Sequence, residues 1–521
     1  MPLSSRLLRL LAVLCALAAL PVIAACGDGG GGGNATADPA AVVPARAPLY
    51  FEANLKPGDD VEELAKKLSG EEDPGGRIKG LIEKEARKTI KDFDYDEDIG
   101  PWLGERIALY APRIAPGDDS PVAFVAATKD ADKAKEFLER EVRRDGDGGQ
   151  KAQVVERTHR GTKYIVDTSD DEGVAMVDDY AIFGTDEGIK GALDAKEGES
   201  LAESSEYEKA RDSVEEDGAG FMYIRFSQLF SGLGPEGAAA RQVFSGFGDT
   251  LAVGVDGDAS SARLESAAIG GNATKGPSGP GEVFAQLPAS AWLAAGVSDV
   301  GARIEQMIEQ FSQLGALGGQ DVDQLLDQFE SQFGLDPRRD LASWMGDAGV
   351  FVFGDSPAEI GGGLVARVKD AGTARRALPR ITNFLEQVGS VSSRPLNRGG
   401  IDTGVTLRSP EVPLPIHMAL TDDERFIVAV TDSALSQALQ DTEPLGESQE
   451  FKDAAGKLEG MEPSLFVNFA PIGGLVDATG AADQDPSAEE ARKVLDKLTT
   501  LIAGGKREED VSRSKVVVGV K

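Results

Sequence analysis

The chain has 521 residues with 88 acidic and 54 basic side chains, which gives a net charge of −34 at pH 7. A surface this acidic repels nucleic acid and anionic lipid headgroups, so we expect no nucleic-acid partner and no electrostatic attachment to a membrane. The length is sufficient for large buried cores. Only two histidines and two cysteines, Cys15 and Cys26, are present, which leaves little for zinc or thiol chemistry.

The first 25 residues have the organisation of a secretory signal peptide. Two arginines form a basic amino-terminal region, residues 10–20 form an apolar core, and two alanines directly precede Cys26. The apolar run is shorter than the roughly 20 residues that span a bilayer, and Pro21 interrupts it. We therefore predict a signal peptide over residues 1–25 rather than a retained transmembrane helix.

Cys26 resembles the lipobox cysteine of bacterial lipoproteins because it follows the small residues of the signal. The resemblance implies that the thiol receives a diacylglycerol and that Cys26 becomes the first mature residue. Two or more acyl chains hold a protein firmly on a membrane. We therefore predict lipid anchoring to the extracytoplasmic face of the bacterial cell membrane. Removal of the two signal arginines changes the net charge from −34 to −36, and the mature chain keeps no other thiol.

Composition divides the rest of the chain into four segments. Residues 26–40 contain the lipidated cysteine and a glycine-rich tether that cannot bury a core. Residues 270–281 are rich in glycine and proline and form a predicted linker. The linker separates a first domain, residues 41–269, from a second domain, residues 282–521.

The two predicted domains contain matching blocks of sequence in the same order. The blocks begin at residues 43 and 287, 98 and 340, 124 and 364, 185 and 431, and 201 and 445. The separations within these pairs are 244, 242, 240, 246 and 244 residues. Five blocks at an almost constant separation indicate an internal duplication, so the two domains are expected to be similar tandem repeats.

Strands and helices alternate within each repeat. Strands are predicted at residues 49–54, 107–111, 122–128, 174–177, 180–183, 251–255 and 263–268, the last two flanking a turn at 256–258. The spacing of Val61, Leu64, Ala65 and Leu68 predicts an amphipathic helix, and Val300, Ile304, Met307, Ile308 and Phe311 form its counterpart. Asp130 and Asp370 are predicted N-caps of further helices. The combination of hairpins and helices indicates an α+β fold in which helices cover one face of an antiparallel sheet. Each of the two repeats is expected to have this fold.

An acidic cluster is the strongest candidate for a metal site. Asp94, Asp96, Asp98 and Glu105 have part of the spacing of a calcium-binding loop. The position that requires glycine for the sharp turn is occupied by Ile99, however. We therefore predict an acidic turn that holds no metal.

The acidic turn contains a duplicated aspartate and tryptophan. Asp98 and Asp340 are predicted to cap a short helix whose following tryptophans, Trp102 and Trp344, are buried. A ligand-stacking role for these indoles is the alternative, but a large ring used in both repeats is typical of a core.

Catalytic motifs are absent from the sequence. Ser512 and Lys515 have the S-x-x-K spacing of acyl-enzymes, but the S-D-N and K-T-G partners of that motif do not occur. No nucleophile elbow, zinc-protease motif or phosphate-binding loop is present either. We therefore predict a protein that is not an enzyme and has no catalytic residue and no cofactor.

Two apolar helix faces in the second repeat could serve as core or as a groove for an apolar ligand. The residues concerned are Met307, Ile308, Phe311, Leu314, Leu325, Leu326, Phe329 and Phe333. Stripes of this kind usually pack into a core, which is the interpretation we adopt.

Several segments resemble an uncharacterised, largely actinobacterial envelope family, the domain of unknown function 3352. They are the lipobox, the VPARAPLYFEAN opening at residues 43–54, DIGPWLGER at 98–106 and FVAATKD at 124–130. The resemblance implies an exported, membrane-attached protein and brings no activity. The leading hypothesis is a non-enzymatic binding or structural module with an envelope protein or lipid partner. The alternatives are a carrier for an apolar ligand and a hydrolase that uses scattered carboxylates.

Overall fold

The computed structural model describes residues 34–521 except positions 89, 91, 116–119, 145–150, 215–217, 234–236, 239, 242–243, 245–247, 272–278, 319–320, 390, 411–413, 440–442 and 480–485. The predicted signal peptide, Cys26 and the first part of the tether lie outside the described residues, as does much of the predicted linker.

The chain divides into two compact units. The first unit runs to Thr274 and also contains Glu509–Arg513, and the second comprises Lys275–Glu508 and Ser514–Lys521. Composition places residues 509–513 in the second domain. The structure differs because Val511 is buried in the core of the first unit, where Asp510 also forms an ion pair with Lys209.

The first unit is built on a ten-stranded antiparallel sheet. Its strands are β1 (Leu49–Asn54), β2 (Leu103–Ala111), β3 (Ala123–Thr128), β4 (Val154–His159), β5 (Thr162–Asp167), β6 (Glu172–Val177), β7 (Tyr180–Thr185), β8 (Gly220–Arg225), β9 (Thr250–Asp258) and β10 (Ser261–Ile269). The spatial order is β10-β9-β8-β1-β2-β3-β7-β6-β5-β4. The α+β class with a large antiparallel sheet is therefore confirmed.

The second unit has the same strand order. Its strands are β11 (Leu293–Val297), β12 (Met345–Phe353), β13 (Gly361–Val368), β14 (Ser392–Pro395), β15 (Ile401–Arg408), β16 (Ile416–Thr421), β17 (Arg425–Val430), β18 (Glu462–Asn468), β19 (Leu498–Glu508) and β20 (Val511–Val520), and the first three residues of β20 belong to the first unit. They lie in the order β20-β19-β18-β11-β12-β13-β17-β16-β15-β14. The two orders are identical when β11 is matched with β1, β12 with β2, and so on to β20 with β10.

Helices connect the strands of both units. In the first unit they include α1 (Asp59–Ser69), α2 (Pro74–Ala86), α3 (Tyr95–Asp98), α4 (Ala131–Val142), α5 (Asp186–Glu197), α6 (Ser205–Arg211) and α7 (Phe226–Leu229). In the second unit they include α8 (Val300–Gly318), α9 (Val322–Phe333), α10 (Ala371–Gly389), α11 (Asp432–Leu439), α12 (Gln449–Gly456), α13 (Phe469–Thr479) and α14 (Pro486–Leu495). Short 3-10 helices lie at Pro39–Val42, Leu201–Glu203, Ser231–Leu233, Phe284–Gln286 and Leu445–Glu447, and a π-helical turn lies at Arg338–Ala342.

Local sequence signals place several of these elements correctly. The Asp130 carboxylate accepts a hydrogen bond from the Lys133 amide at 3.1 Å, and that of Asp370 accepts one from the Thr373 amide at 3.0 Å. Both predicted N-caps are therefore confirmed, and β1 has the predicted bounds. An oxygen of the capping residue satisfies an amide that has no partner within the helix, which fixes where the helix begins.

The predicted turn between β9 and β10 is wrong in position. Strand β9 continues through Asp258, and the turn consists of Ala259 and Ser260. The Asp258 carboxylate accepts hydrogen bonds from the Ser260 amide at 2.8 Å and the Ser261 hydroxyl at 2.9 Å. These bonds stabilise a tight turn after Asp258 and not at the glycine before it.

Helices cover both faces of the first sheet, and not one face as predicted. One core contains Tyr50, Tyr110 and residues of α5 and α6, and the other contains Phe124, Ala126 and residues of α2 and α4. Every residue of the central strand β3 is buried, so each face requires a covering layer. The second unit likewise has two cores, one with residues of α11 and α12 and one with residues of α10.

Aromatic packing occupies equivalent positions in the two units. The rings of Tyr207 and Tyr223 meet edge to face with centroids 5.4 Å apart, and those of Phe451 and Phe466 do so at 5.5 Å. The first unit therefore uses tyrosine where the second uses phenylalanine. Edge-to-face pairs of this kind favour one relative placement of helix and sheet.

Candidate functional site

The acidic turn of the first unit holds a buried tryptophan. Asp94 accepts hydrogen bonds from the amides of Asp96 and Glu97 at 2.9 and 3.2 Å, and so caps α3. The Asp98 carboxylate accepts from the Asp94 amide at 3.0 Å. The indole N–H of Trp102 donates to the Asp98 carbonyl at 2.7 Å, and the ring is buried. The turn is therefore built to fix this ring.

The second unit repeats this arrangement. Asp336 accepts hydrogen bonds from the amides of Arg338 and Arg339, and the Asp340 carboxylate accepts from the Asp336 amide at 2.9 Å. The Trp344 indole donates to the Asp340 carbonyl at 2.6 Å. Burial of both tryptophans in a core is thus confirmed.

The predicted capping residues of this turn are wrong by four positions. Asp94 and Asp336 accept from the amides of the first turn, whereas Asp98 and Asp340 close the turn from its far end. All four are aspartates at the same spacing, so the sequence alone does not distinguish the two roles.

The predicted acidic cluster is dispersed among cationic partners. Asp96 forms an ion pair with Lys79, Asp98 lies 2.6 Å from Arg140 Nη2, and Glu105 lies 3.7 Å from Lys56 Nζ. Within the described residues, no group of three or more histidine, cysteine or acidic side chains is arranged to hold a metal ion. These carboxylates accordingly act in the local structure.

A buried carboxyl that the sequence analysis did not single out lies on β1. Glu52 accepts a hydrogen bond from the Tyr50 hydroxyl at 2.8 Å and lies 3.2 Å from Arg106 Nη1 and 3.5 Å from Arg211 Nη1. Burial raises the pKa of Glu52, and Arg211 opposes that shift. At the separation of 244 residues, the equivalent position is Gly296. The polar network therefore belongs to the first unit alone.

A second unexpected carboxyl lies in the hairpin between β5 and β6. Glu172 is buried beside Asp167, Asp170 and Asp171, and Asp167 is its direct cross-strand partner. Burial, reinforced by these negative charges, raises the pKa of Glu172 to about 8. A run of acidic residues usually indicates a solvated loop, so a buried glutamate within this run is not predictable from the sequence.

The helices of the second unit present apolar side chains to solvent. Met307 and Phe311 of α8 are 55% and 58% exposed, and Leu325 of α9 is 51% exposed. Phe329 and Phe333 continue the Leu325 stripe at four-residue spacing. Their rings contact Phe384 of α10 at centroid distances of 5.6 and 5.4 Å. We call Met307, Phe311, Leu325, Phe329, Phe333 and Phe384 the apolar helical face.

The interpretation of these stripes as plain core is wrong for three of their residues. The start of α8 packs closely, because a Cβ on Gly301 would lie 2.1 Å from the Ala342 carbonyl oxygen. Met307 and Phe311 follow Gly301 by six and ten residues and are exposed. In α1 of the first unit, Val61, Leu64 and Ala65 are buried. The side chain of Leu314 lies outside the described residues.

A cavity of about 550 Å³ lies elsewhere in the second unit, beside β13 and β17. Its lining comprises Glu282, Val283, Gln286, Leu287, Pro288, Val365, Arg367, Val368, Asp423, Glu424, Arg425, Gln437, Ala438 and Pro444. Arg367 and Arg425 are direct cross-strand partners. The cavity is thus lined by both charged and apolar side chains. A simple lipid carrier is expected to have a cavity with an apolar lining.

None of the helices in the described ranges combines the length and the apolar character needed to cross a bilayer.

Comparison with known families gives a match over nearly the whole chain. The family described as "Protein of unknown function (DUF3352)" matches residues 9–519. The chain belongs to this DUF3352 family. No curated protein matches the sequence.

Among solved structures, the one titled "Structure of crystal form III of TP0453" is similar to this DUF3352 protein at 9% sequence identity, with a TM-score of 0.18. The match covers 78% of this chain and 98% of the other. A similarity of this quality does not bear on fold or function.

Proposed function

We propose that this DUF3352 protein is a lipid-anchored extracytoplasmic envelope protein that acts as a non-enzymatic binding module through its apolar helical face. The exposure of Met307, Phe311 and Leu325 carries the proposal, since each side chain is more than half exposed. Exposed apolar surface of this kind is a common feature of interaction sites. Burying the exposed half of one such side chain against a partner contributes roughly 1 kcal/mol, so the three together favour association.

The surroundings of the face favour a protein partner. Gln306 and Gln310 of α8 and Gln324 and Gln328 of α9 are exposed on the same helices, as are Glu309, Asp323 and Asp327. An apolar centre with a polar rim is the usual anatomy of a protein–protein interface. A bilayer is a less suitable partner, because the net charge of −34 opposes approach to anionic headgroups.

A tandem duplication explains how one half of the chain could acquire such a face. The two units have one strand order, equivalent aromatic pairs and the same tryptophan turn. One copy can maintain a stable fold while the other changes its helices. Helix α8 has 19 residues, whereas the α1 helix at the corresponding place has 11.

Acyl chains on Cys26 complete the proposal by keeping the module at the membrane. Cys26→Ser should prevent labelling by a fatty-acid probe and leave the precursor uncleaved, since the acceptor thiol is removed. Equal labelling of wild type and Cys26→Ser would refute lipid anchoring and would leave the proposal of partner binding intact.

The binding proposal is tested by quantitative mass spectrometry of what co-purifies with the full chain from its native membrane. The variant Phe311→Ser/Leu325→Ser should lose the enriched partner. Leu81→Ser is the matched control, because Leu81 is 40% exposed on a helix of the first unit. A partner retained by the double variant, or lost equally in the control, would refute the role of the face. A defined lipid in place of a protein would favour the carrier alternative.

A further inference from the structure

The strand pair that borders the cavity beside β13 and β17 has a counterpart in the first unit. Arg367 and Arg425 face each other there as cross-strand partners, and the equivalent pair in the first unit is Ala127 and Tyr180. Ala127 is fully buried, and the Tyr180 hydroxyl donates to the Asp38 carbonyl at 2.8 Å. The first unit thus places a buried alanine and a buried tyrosine where the second unit places two guanidinium groups beside a cavity.

Two like charges directly opposite each other on adjacent strands are destabilising unless they are compensated. Arg367 forms an ion pair with Glu282, and Arg425 Nε lies 2.7 Å from Asp423 Oδ2. The carboxylate side chains are 69% and 59% exposed, respectively. Exposed pairs of this kind are worth at most about 1 kcal/mol, so a ligand can displace them easily.

Apolar side chains lie between these charges and the core. Val283, Leu287 and Val365 line the cavity and belong to the adjoining hydrophobic core. A volume of about 550 Å³ is within the range of pockets for small organic ligands. The lining can therefore accommodate an apolar body beneath a charged group.

We infer that this cavity binds a small ligand that joins a zwitterionic head to an apolar body. The anionic group of the ligand binds between Arg367 and Arg425, and its ammonium group pairs with the carboxylates of Glu282 and Glu424. Three carboxylates and two guanidinium groups line the cavity, so a purely anionic ligand would add to an existing excess of negative charge. A zwitterionic ligand adds no net charge to the cavity. This site is separate from the apolar helical face and does not depend on it.

Short apolar peptides and zwitterionic phospholipids share this chemistry, and calorimetric titration of the full chain distinguishes them. The probes are leucyl-leucine and monomeric dihexanoylphosphatidylethanolamine, with N-acetyl-leucyl-leucine and leucyl-leucinamide as analogues that lack one charge. At least one zwitterion should bind at roughly millimolar concentration or below, and removal of either charge from the peptide should weaken its binding about tenfold. Binding of the phospholipid and not of the dipeptide would show that the ligand is a lipid and not a peptide.

Arg367→Gln should weaken binding of the active probe about tenfold. Arg375→Gln is the matched control, since Arg375 is an exposed, ion-paired arginine of the same unit. Absence of binding by both zwitterions, equal binding of the analogues, or unchanged affinity of Arg367→Gln would overturn the inference. The comparison of analogues uses the unmodified protein, so it remains decisive if a variant fails to fold. The double variant of the apolar helical face should bind the probe normally, which separates the two proposals.

Discussion

Asp340 and Arg380 form an ion pair in which Arg380 Nη1 lies 2.7 Å from Oδ1 of the buried Asp340 carboxylate. The equivalent pair of the first unit, Asp98 and Arg140, has a distance of 2.6 Å. Each pair joins the tryptophan turn to the helix that follows β13 or β3. The same ion pair thus occurs in both units, and in each unit it holds the turn that positions a buried indole.

Asp340→Ala should destabilise the second unit by about 2–3 kcal/mol, because charged hydrogen bonds to Arg339, Arg380 and the Asp336 amide are lost. Urea unfolding followed by tryptophan fluorescence measures the change. Asp327→Ala, at an exposed site on α9, is the control and should change stability by less than about 0.5 kcal/mol. Equal effects of the two substitutions would contradict this role of Asp340.

The contribution of Asp340 should also depend on pH. Burial raises its pKa, but hydrogen bonds from Arg339, the Asp336 amide and Arg380 outweigh that effect and lower the pKa below the ordinary value. A lowered folded-state pKa stabilises the fold above the unfolded-state pKa, and this stabilisation is lost as the pH falls through the folded-state pKa. The difference in the free energy of unfolding between wild type and Asp340→Asn, measured by urea unfolding, should therefore shrink below about pH 4.

Glu172 should have the opposite pH dependence. Its pKa is raised to about 8, so the folded state holds a proton that the unfolded state releases at lower pH. The first unit should lose stability as the pH rises from about 4.5 to about 8. Glu172→Gln should remove this loss and stabilise the unit by on the order of 5 kcal/mol at pH 9, with little effect at pH 4. Urea unfolding at both pH values tests it, and identical pH profiles of the two proteins would show that Glu172 is ionised in the fold.

Glu52→Ala should destabilise the first unit by about 2–3 kcal/mol, because the hydrogen bonds that its carboxylate accepts from Arg106, Arg211 and Tyr50 are lost. Tyr50→Phe removes only one hydrogen bond and should cost about 1–2 kcal/mol. Thermal unfolding of the two variants gives the order of these effects. A Glu52→Ala protein as stable as Tyr50→Phe would show that the network contributes little.

The structure agrees with the sequence-based predictions where a local signal determines an element. The caps at Asp130 and Asp370 and the alternation of β1 are such signals, and each concerns a few neighbouring residues. The predictions failed where distant contacts decide the outcome. The spacing of Met307 and Phe311 is the same whether the stripe is covered or exposed, because periodicity reports a face and not what lies against it.

Register across strands is a second limit of the sequence. Glu52 is the one charged residue of β1, and only the tertiary fold brings Arg106 of β2 and Arg211 of α6 to its carboxylate. The juxtaposition of Arg367 with Arg425 likewise follows from the β13–β17 register, which joins residues 58 positions apart in the chain.

The central claim is that the apolar helical face binds a partner, and site-specific photocrosslinking in living cells tests it most directly. A benzophenone amino acid replaces Phe311 in one protein and Leu81, an exposed apolar residue of the first unit, in another. We expect one discrete protein adduct from position 311 and none of that mass from position 81. No adduct from position 311, or the same adducts from both positions, would contradict the claim.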